Sequence, residues 1–264
     1  MARCYATLMT MIRTISLAVA VAVQSAGALA QSVASPAMDR GDFGPFMRSL
    51  NIRPYGYDKV PDAAGTGSAT VLERFEVRSG DCSVQKSIDD CKQDRERSEL
   101  SEQGRRTPRG STAWYGWHFY LGEDWPDVWP TKTVIGQFHQ DKSHPVWMFL
   151  NYKGALVLDD HSTGGSKGYT ELVPANELKG RWHRIEVHAR WERDTTGFFK
   201  VWVDGVAKFE MAGPTMTRDL VFFKYGVYRS FVSRFVAAAG IPGVPTQVAL
   251  FANVRKATTR EGLN

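Results

Sequence analysis

Cysteine is scarce: the 264-residue chain has three, Cys4, Cys82 and Cys91. Their spacing offers no metal site, which excludes the small zinc-stabilised architectures. Long helical periodicity is missing, no internal repeat recurs, and no low-complexity segment follows the first thirty residues. Charge of one sign is not in large excess either. The formal net charge of +5 is too mild to argue for a nucleic-acid partner, and any case for an anionic ligand must rest on where the cations sit. H-E-x-x-H, a nucleophile elbow and a phosphate-binding loop are all absent, which removes the commonest metallopeptidase, hydrolase and nucleotide-dependent chemistries.

What the chain does have begins with a basic start at Arg3 and Arg13, a short apolar run from Ile15 to Val23, and Ala28-Leu29-Ala30 before Gln31. That pattern describes a secretory signal peptide over residues 1–30, and its apolar run is too short to span a bilayer. The expected location is therefore secreted or periplasmic, with no membrane partner. Removing Arg3 and Arg13 lowers the net charge by two, to about +3. Cys82 and Cys91 then remain as an even pair in an oxidising compartment and should form a disulfide, contributing about 2–3 kcal/mol by restricting the unfolded chain. Residues 31–264 are enough for one sizeable core and are read as a single domain and a monomer, with 31–45 poorly ordered.

The rest of the chain reads as strands. A first strand is expected at Leu72–Val77, followed by a charged loop from Ser79 to Arg97 stapled by the disulfide. Trp114–Leu121, Thr133–Gln140, Val146–Tyr152, Ala155–Asp159, Trp182–Trp191, Phe198–Phe209 and Gln247–Val254 continue the series. Asp204-Gly205 marks a hairpin, and Pro174–Leu178 suits one helical turn. Trp114–Leu121 is partly apolar on both faces, as in a sheet packed on another sheet. The fold class is all-β, a two-sheet sandwich or jelly roll with a cleft on one sheet face. The Trp and Tyr content suits stacking on sugars, although most of the eight Trp are expected in the core.

One segment is not an ordinary strand. In Phe222–Arg229, alternation puts Phe223, Tyr225 and Val227 on one face and Lys224, Gly226 and Tyr228 on the other. The second face carries a cation, a gap and a phenol, which suits a groove. Two further stretches belong with it: Arg97-Ser98-Glu99-Leu100, and Gln137-Phe138-His139, whose polar pair shares a face roughly 7 Å apart by strand rise. The ordered set R-S-E-L, Q-x-H and K-x-G-x-Y resembles the jelly-roll polysaccharide lyases, including alginate, glucuronan and heparin lyase I-like enzymes. The resemblance runs from about Leu72 to Val254. It implies a concanavalin-like jelly roll that cleaves an anionic, uronic-acid-containing polysaccharide by β-elimination, with no required cofactor and room for a structural calcium ion, for which Asp159-Asp160 are the candidates.

Carried over position by position, the resemblance makes Arg97 and Gln137 the groups that neutralise the uronate carboxylate, and His139 and Tyr228 the proton-transfer pair. Tyr225 and the Arg229-Ser230 pair depart from the alginate lyase pattern and favour the glucuronan or heparin lyase-like branch. The chemistry needs these types. Elimination removes the C5 proton alpha to a carboxylate, so the developing charge must be neutralised, by always-charged Arg97 and by Gln137 as a neutral donor. A base takes that proton and an acid protonates the leaving glycosidic oxygen. His139 suits neutral-pH base work; Tyr228 suits the acid, or both roles if Arg97 or Arg229 lowers its pKa. Lys224, about 13 Å from Tyr228 along a strand, is expected to hold the carboxylate of a neighbouring sugar, with Arg229 also on the substrate. Glu99 joins the site set, orienting Arg97. Two other readings stand beside this one. A non-catalytic carbohydrate-binding module would share the aromatics and cations but has no need of Gln137, His139 and Tyr228. A retaining glycoside hydrolase needs two carboxylates about 5 Å apart, and Glu192-Arg193-Asp194 is the nearest approach.

Overall fold

The computed structural model describes residues 38–264 except 51–52, 63–68 and 86–87. The expected signal peptide, Cys4 and residues 31–37 lie outside the described residues. The chain forms two antiparallel sheets packed face to face. The front sheet runs, in hydrogen-bonded order, Phe46–Ser49, Arg95–Glu102, Leu220–Ser230, Lys132–Gln140, Pro145–Tyr152, Ala155–Asp160 and Tyr169–Val173. The back sheet runs Val206–Ala212, Phe198–Val203, Trp182–Arg190, Thr112–Leu121, Gln247–Ala257, Val71–Val77 and Tyr57–Pro61. Strands distant in sequence lie side by side in both, so the Arg97, Tyr228 and Gln137 strands are neighbours although the chain between them is long.

The inward faces explain the alternation. Trp117, Trp147, Trp191, Phe138, Phe199, Phe223 and Tyr225 are buried between the sheets. Trp147 and Phe199 stack at 4.0 Å, and Trp117 meets Phe149 edge-on at 4.9 Å. Each such side chain contributes about 1.5–3 kcal/mol of transfer free energy. Trp117, Trp125, Trp147 and Trp191 are buried, and Trp129 alone of the eight Trp is exposed. A smaller apolar cluster of Val134, Met148, Leu150, Ala155 and Val157, with Tyr152 and Tyr228 packed on it, lies apart from this core. It forms the outer face of the front sheet.

The Asp204-Gly205 hairpin and the helical turn, Ala175–Leu178, are present as expected. Other features differ. Strands Phe46–Ser49 and Tyr57–Pro61 precede the expected first strand. The Ser79–Arg97 loop holds a small hairpin, Val84–Gln85 with Ile88–Asp89, beside the Cys82–Cys91 disulfide. Residues 38–45, expected to be poorly ordered, are packed: Arg40 donates to Glu73 Oε1 and to the Tyr225 hydroxyl, each at 2.6 Å, and Phe43 stacks on Phe223. A helix, Val232–Ala239, follows the Tyr228 strand directly and ends at Gly240 in the left-handed conformation.

Candidate active site

Three adjacent strands of the front sheet turn the polar residues to its outer face. Register pairs Tyr228 with Arg97, Gly226 with Glu99, and Lys224 with both Ser101 and Gln137. Glu99 is the hub. Its buried carboxylate accepts from Lys224 Nζ at 2.8 Å, Arg97 Nη1 at 3.1 Å and Gln137 Nε2 at 2.5 Å. Burial pushes its pKa up, but Lys224 and Arg97 outweigh that and hold it below the usual carboxylate range. Gln137 Oε1 is buried with no protein partner.

Arg97 is gripped from a second side. Asp90, fully buried beside Cys91, takes Nε and Nη2 in a bidentate pair, both at 2.7 Å. Burial alone would disfavour the Arg97 charge, and Glu99 with Asp90 overcomes it, so its pKa is raised. The guanidinium lies over the Tyr228 ring, 4.4 Å from its centroid. Arg97, Lys224, Asp90 and Glu99 together carry no net charge. Arg48 and Arg95 line the same cavity of about 550 Å³, which no carboxylate among the described residues lines. The surplus positive charge therefore comes from those two arginines.

His139 lines that cavity at the other end of the group. Register pairs it with Phe222 and Tyr228 with Val134, which separates their backbones by roughly 16 Å at about 3.3 Å per residue. Gln137, Lys224, Glu99 and Arg97 fill the interval. His139 Nδ1 lies 2.9 Å from the Gln140 carbonyl, which can only accept, so Nδ1 carries the proton and Nε2 the lone pair. Burial first, then the Lys224 charge, lowers the His139 pKa to about 4. The imidazole is neutral at neutral pH. Tyr228 moves the other way: burial raises its pKa despite Arg97 and Arg95, so the phenol stays protonated.

Four expectations need correcting. Arg229, expected on the substrate, alternates away from Tyr228 into the protein; it is fully buried, pairs with Glu96 at 2.5 Å and donates to the Pro245 carbonyl at 2.6 Å. It does not tune Tyr228, whose pKa is raised and not lowered. Tyr225 faces the core, on the face where alternation puts it with Phe223 and Val227, and donates to Glu73 Oε2 at 2.7 Å. The two departures from the alginate lyase pattern are thus packing features. Gly226 is not an opening in the groove. The strand bulges there, register stepping from Tyr225–Gly136 to Tyr228–Val134, and φ is +127°. A Cβ on Gly226 would sit 2.3 Å from Ser98 O and 2.7 Å from the Phe75 ring.

The calcium candidates are spent on protein partners. Asp159 accepts from Lys132 Nζ at 3.3 Å and Ser166 Oγ at 2.6 Å and meets His161 Nε2 at 3.1 Å; Asp160 caps Ser162 N at 2.7 Å and pairs with Lys167. Carboxylates so engaged by cations do not fit a dication. Among the described residues no group of three or more His, Cys, Asp or Glu is placed to hold a metal, and no helix is long and apolar enough to cross a membrane. His183 is held by Asp204 and the Glu177 carbonyl, and His188 stacks on Trp114 at 4.2 Å, so both are structural. Sequence reasoning missed Asp90, Arg48 and Arg95. Arg95 had a signal, since it shares the strand face of Arg97 and Glu99. Asp90 had none that set it apart from the other acids of its loop.

A family model described as polysaccharide lyase matches residues 38–255. Among solved structures, an endo-β-1,4-glucuronan lyase from the fungus Trichoderma reesei is similar at 21% identity and TM-score 0.56, over 79% of this chain and 89% of that one. An alginate lyase of polysaccharide lyase family 7 is similar at 14% identity and TM-score 0.54, over 78% and 83%. An alginate lyase from Corynebacterium sp. follows at 14% and 0.51, over 81% and 93%. These likenesses establish the two-sheet jelly-roll fold. No curated protein matches the chain.

Proposed function

The chain belongs to the polysaccharide lyase family, and from that premise we propose that it cleaves a uronic-acid-containing polysaccharide by β-elimination, leaving an unsaturated uronate end. One observation carries the reading: Arg97, Lys224 and Gln137 converge on the buried Glu99 between a neutral imidazole and a protonated phenol. Glu99 and Asp90 hold the donors in place before substrate arrives, so little reorganisation is needed when charge develops. The uronate carboxylate takes the remaining N–H groups of Arg97 and Gln137, and Lys224, expected on a neighbouring sugar, joins them because its Nζ shares Glu99 Oε2 with Arg97 Nη1. The proton steps require His139 and Tyr228 to lean over the group toward a single sugar from its opposite ends: His139 Nε2 accepts the C5 proton, the C4–oxygen bond breaks as the C4–C5 double bond forms, and the Tyr228 hydroxyl gives its proton to the leaving glycosidic oxygen.

The proposed substrate is an anionic polysaccharide, acted on by a monomer in a secreted or periplasmic setting. The basic, apolar and A-x-A sequence start and the Cys82–Cys91 disulfide support that location. The test is incubation with glucuronan, alginate and heparin while following ultraviolet absorbance of the unsaturated product. Absorbance growth with any of them supports the reading. Binding without product would instead mark a carbohydrate-binding module, and reducing ends without absorbance a hydrolase. His139→Asn should cost roughly 100-fold or more in kcat; retention of most activity would move both proton steps to Tyr228.

A further inference from the structure

The polar group and its arginine-lined cavity occupy only one side of Tyr228. On the other side the outer face of the front sheet continues as the small apolar cluster around Val134, Met148 and Leu150, with Tyr228 and Tyr152 packed on it. Beyond it stands a row of rings. Tyr169 lies 4.6 Å from Tyr152, and Tyr152 lies 6.4 Å from Trp129, measured between ring centroids. Lys132 Nζ lies 5.4 Å over Tyr169, and Lys153 Nζ lies 5.0 Å from Trp129 and 5.6 Å from Tyr152.

A core role does not explain this row. Trp129 is 45% exposed and Tyr169 39%, although every other Trp of the chain is buried or partly buried. The rings come from three separate stretches, the Trp129 turn, the end of the Pro145–Tyr152 strand and the start of the Tyr169–Val173 strand. Their convergence is a property of the fold, not of one segment. Two exposed rings, Trp129 and Tyr169, set edge-on and tilted against the half-buried Tyr152 between them and interleaved with ammonium groups, have a specific chemical complement: a sugar ring with an apolar C–H face and a carboxylate at its edge. Lys132 is partly spent on Asp159, while Lys153 is exposed at the rim and reaches both Trp129 and Tyr152.

We propose that Trp129, Tyr152 and Tyr169, with Lys153, form a stacking subsite for uronate sugars on the side of Tyr228 away from the arginine cavity. The inference rests on the lyase reading above. The two halves of the cleft then grip the polymer differently: the arginine side by its carboxylates, the ring side by its faces. By strand rise and strand spacing, Tyr152 lies roughly 12 Å from Tyr228 along the sheet, a span of a few sugar rings. Long chains should engage the row and very short ones should not.

The test compares wild type with Trp129→Ala/Tyr169→Ala on polymeric glucuronan or alginate, whichever the wild type cleaves, and on its trimer. Losing two stacking contacts should raise KM for the polymer roughly 5- to 10-fold with kcat within about 2-fold, and leave the trimer unchanged. In a Tyr228→Phe background, where substrate is not consumed, the same polymer should quench Trp fluorescence, and Trp129→Phe should remove that response. Because both replaced side chains are exposed, unchanged melting should verify folding; Trp129→Gln/Tyr169→Gln serves as a second variant pair. Equal KM changes on polymer and trimer, or none on either, would overturn the subsite while leaving the lyase reading intact. A wild type that neither binds nor cleaves any uronate polymer would sink the lyase reading and the subsite with it.

Discussion

Replacing Asp90 with Asn tests how the site is held together. The change keeps shape and volume but removes the charge and puts an amide N–H₂ where Arg97 Nε or Nη2 now finds an oxygen at 2.7 Å. Asp90 is fully buried and Arg97 nearly so, so solvent does not make up the loss. Neutralising one partner of a buried pair costs about 3–5 kcal/mol, and the lower end applies because Glu99 still holds Nη1. For a chain of this size each kcal/mol shifts Tm by about 2–4 °C, which puts the expected fall at roughly 6–12 °C. Arg97 would also lose its fixed orientation over Tyr228, so kcat should fall together with stability. The assay pairs thermal and urea melts with kinetics in a double-mutant cycle of Asp90→Asn and Arg97→Gln. A Tm within 2 °C of wild type, or additive single effects, would refute a buried clamp. Cys82→Ser/Cys91→Ser should reproduce part of the loss, since closing this short loop is worth about 2–3 kcal/mol and Asp90 is its last residue before Cys91.

Three further outcomes are expected. Tyr228→Phe should abolish product absorbance with little change in melting, because only a hydroxyl is removed; near-normal turnover would exclude Tyr228 as the acid. With the His139 pKa near 4, the acid limb of kcat/KM should lie near pH 4, and that of kcat higher, because a bound carboxylate offsets the Lys224 charge. The same depressed pKa makes stability full above the unfolded value of about 6.5 and lost as pH falls toward 4, by about 3 kcal/mol relative to His139→Gln in paired urea melts; parallel pH curves would contradict it. Gly226→Ala should lower Tm by several degrees, since its Cβ would strike the Ser98 carbonyl at a φ of +127°, and an unchanged Tm would show that the bulge relaxes freely.

Much of the fold is written in period-two alternation. The Trp114–Leu121 and Thr133–Gln140 segments announce strands, and the Asp204-Gly205 turn announces its hairpin. Alternation also says which residues share a face: Lys224 with Tyr228, and Arg97 with Glu99. It does not say which face is core when both carry aromatics, and Arg229 was misplaced for that reason even though parity separates it from Tyr228. Contacts that cross a loop leave no periodic trace. Asp90 on Arg97 is one, and the meeting of Trp129, Tyr152 and Tyr169 is another, since each ring is unremarkable in its own segment. The Gly226 bulge was legible as a glycine in a strand, but its purpose was not, because the Ser98 carbonyl and Phe75 ring that crowd it arrive from other strands.

The self-cancelling quartet of Arg97, Lys224, Asp90 and Glu99 separates capture from commitment. A charge-balanced cluster has little long-range pull, so a passing polyanion is drawn in by Arg48 and Arg95, whose influence fades over about a Debye length of 10 Å at 0.1 M salt. Once the chain is seated and water displaced, the buried donors act at contact distance, where dissolved ions screen little. Added salt should therefore slow the encounter long before it weakens the chemistry.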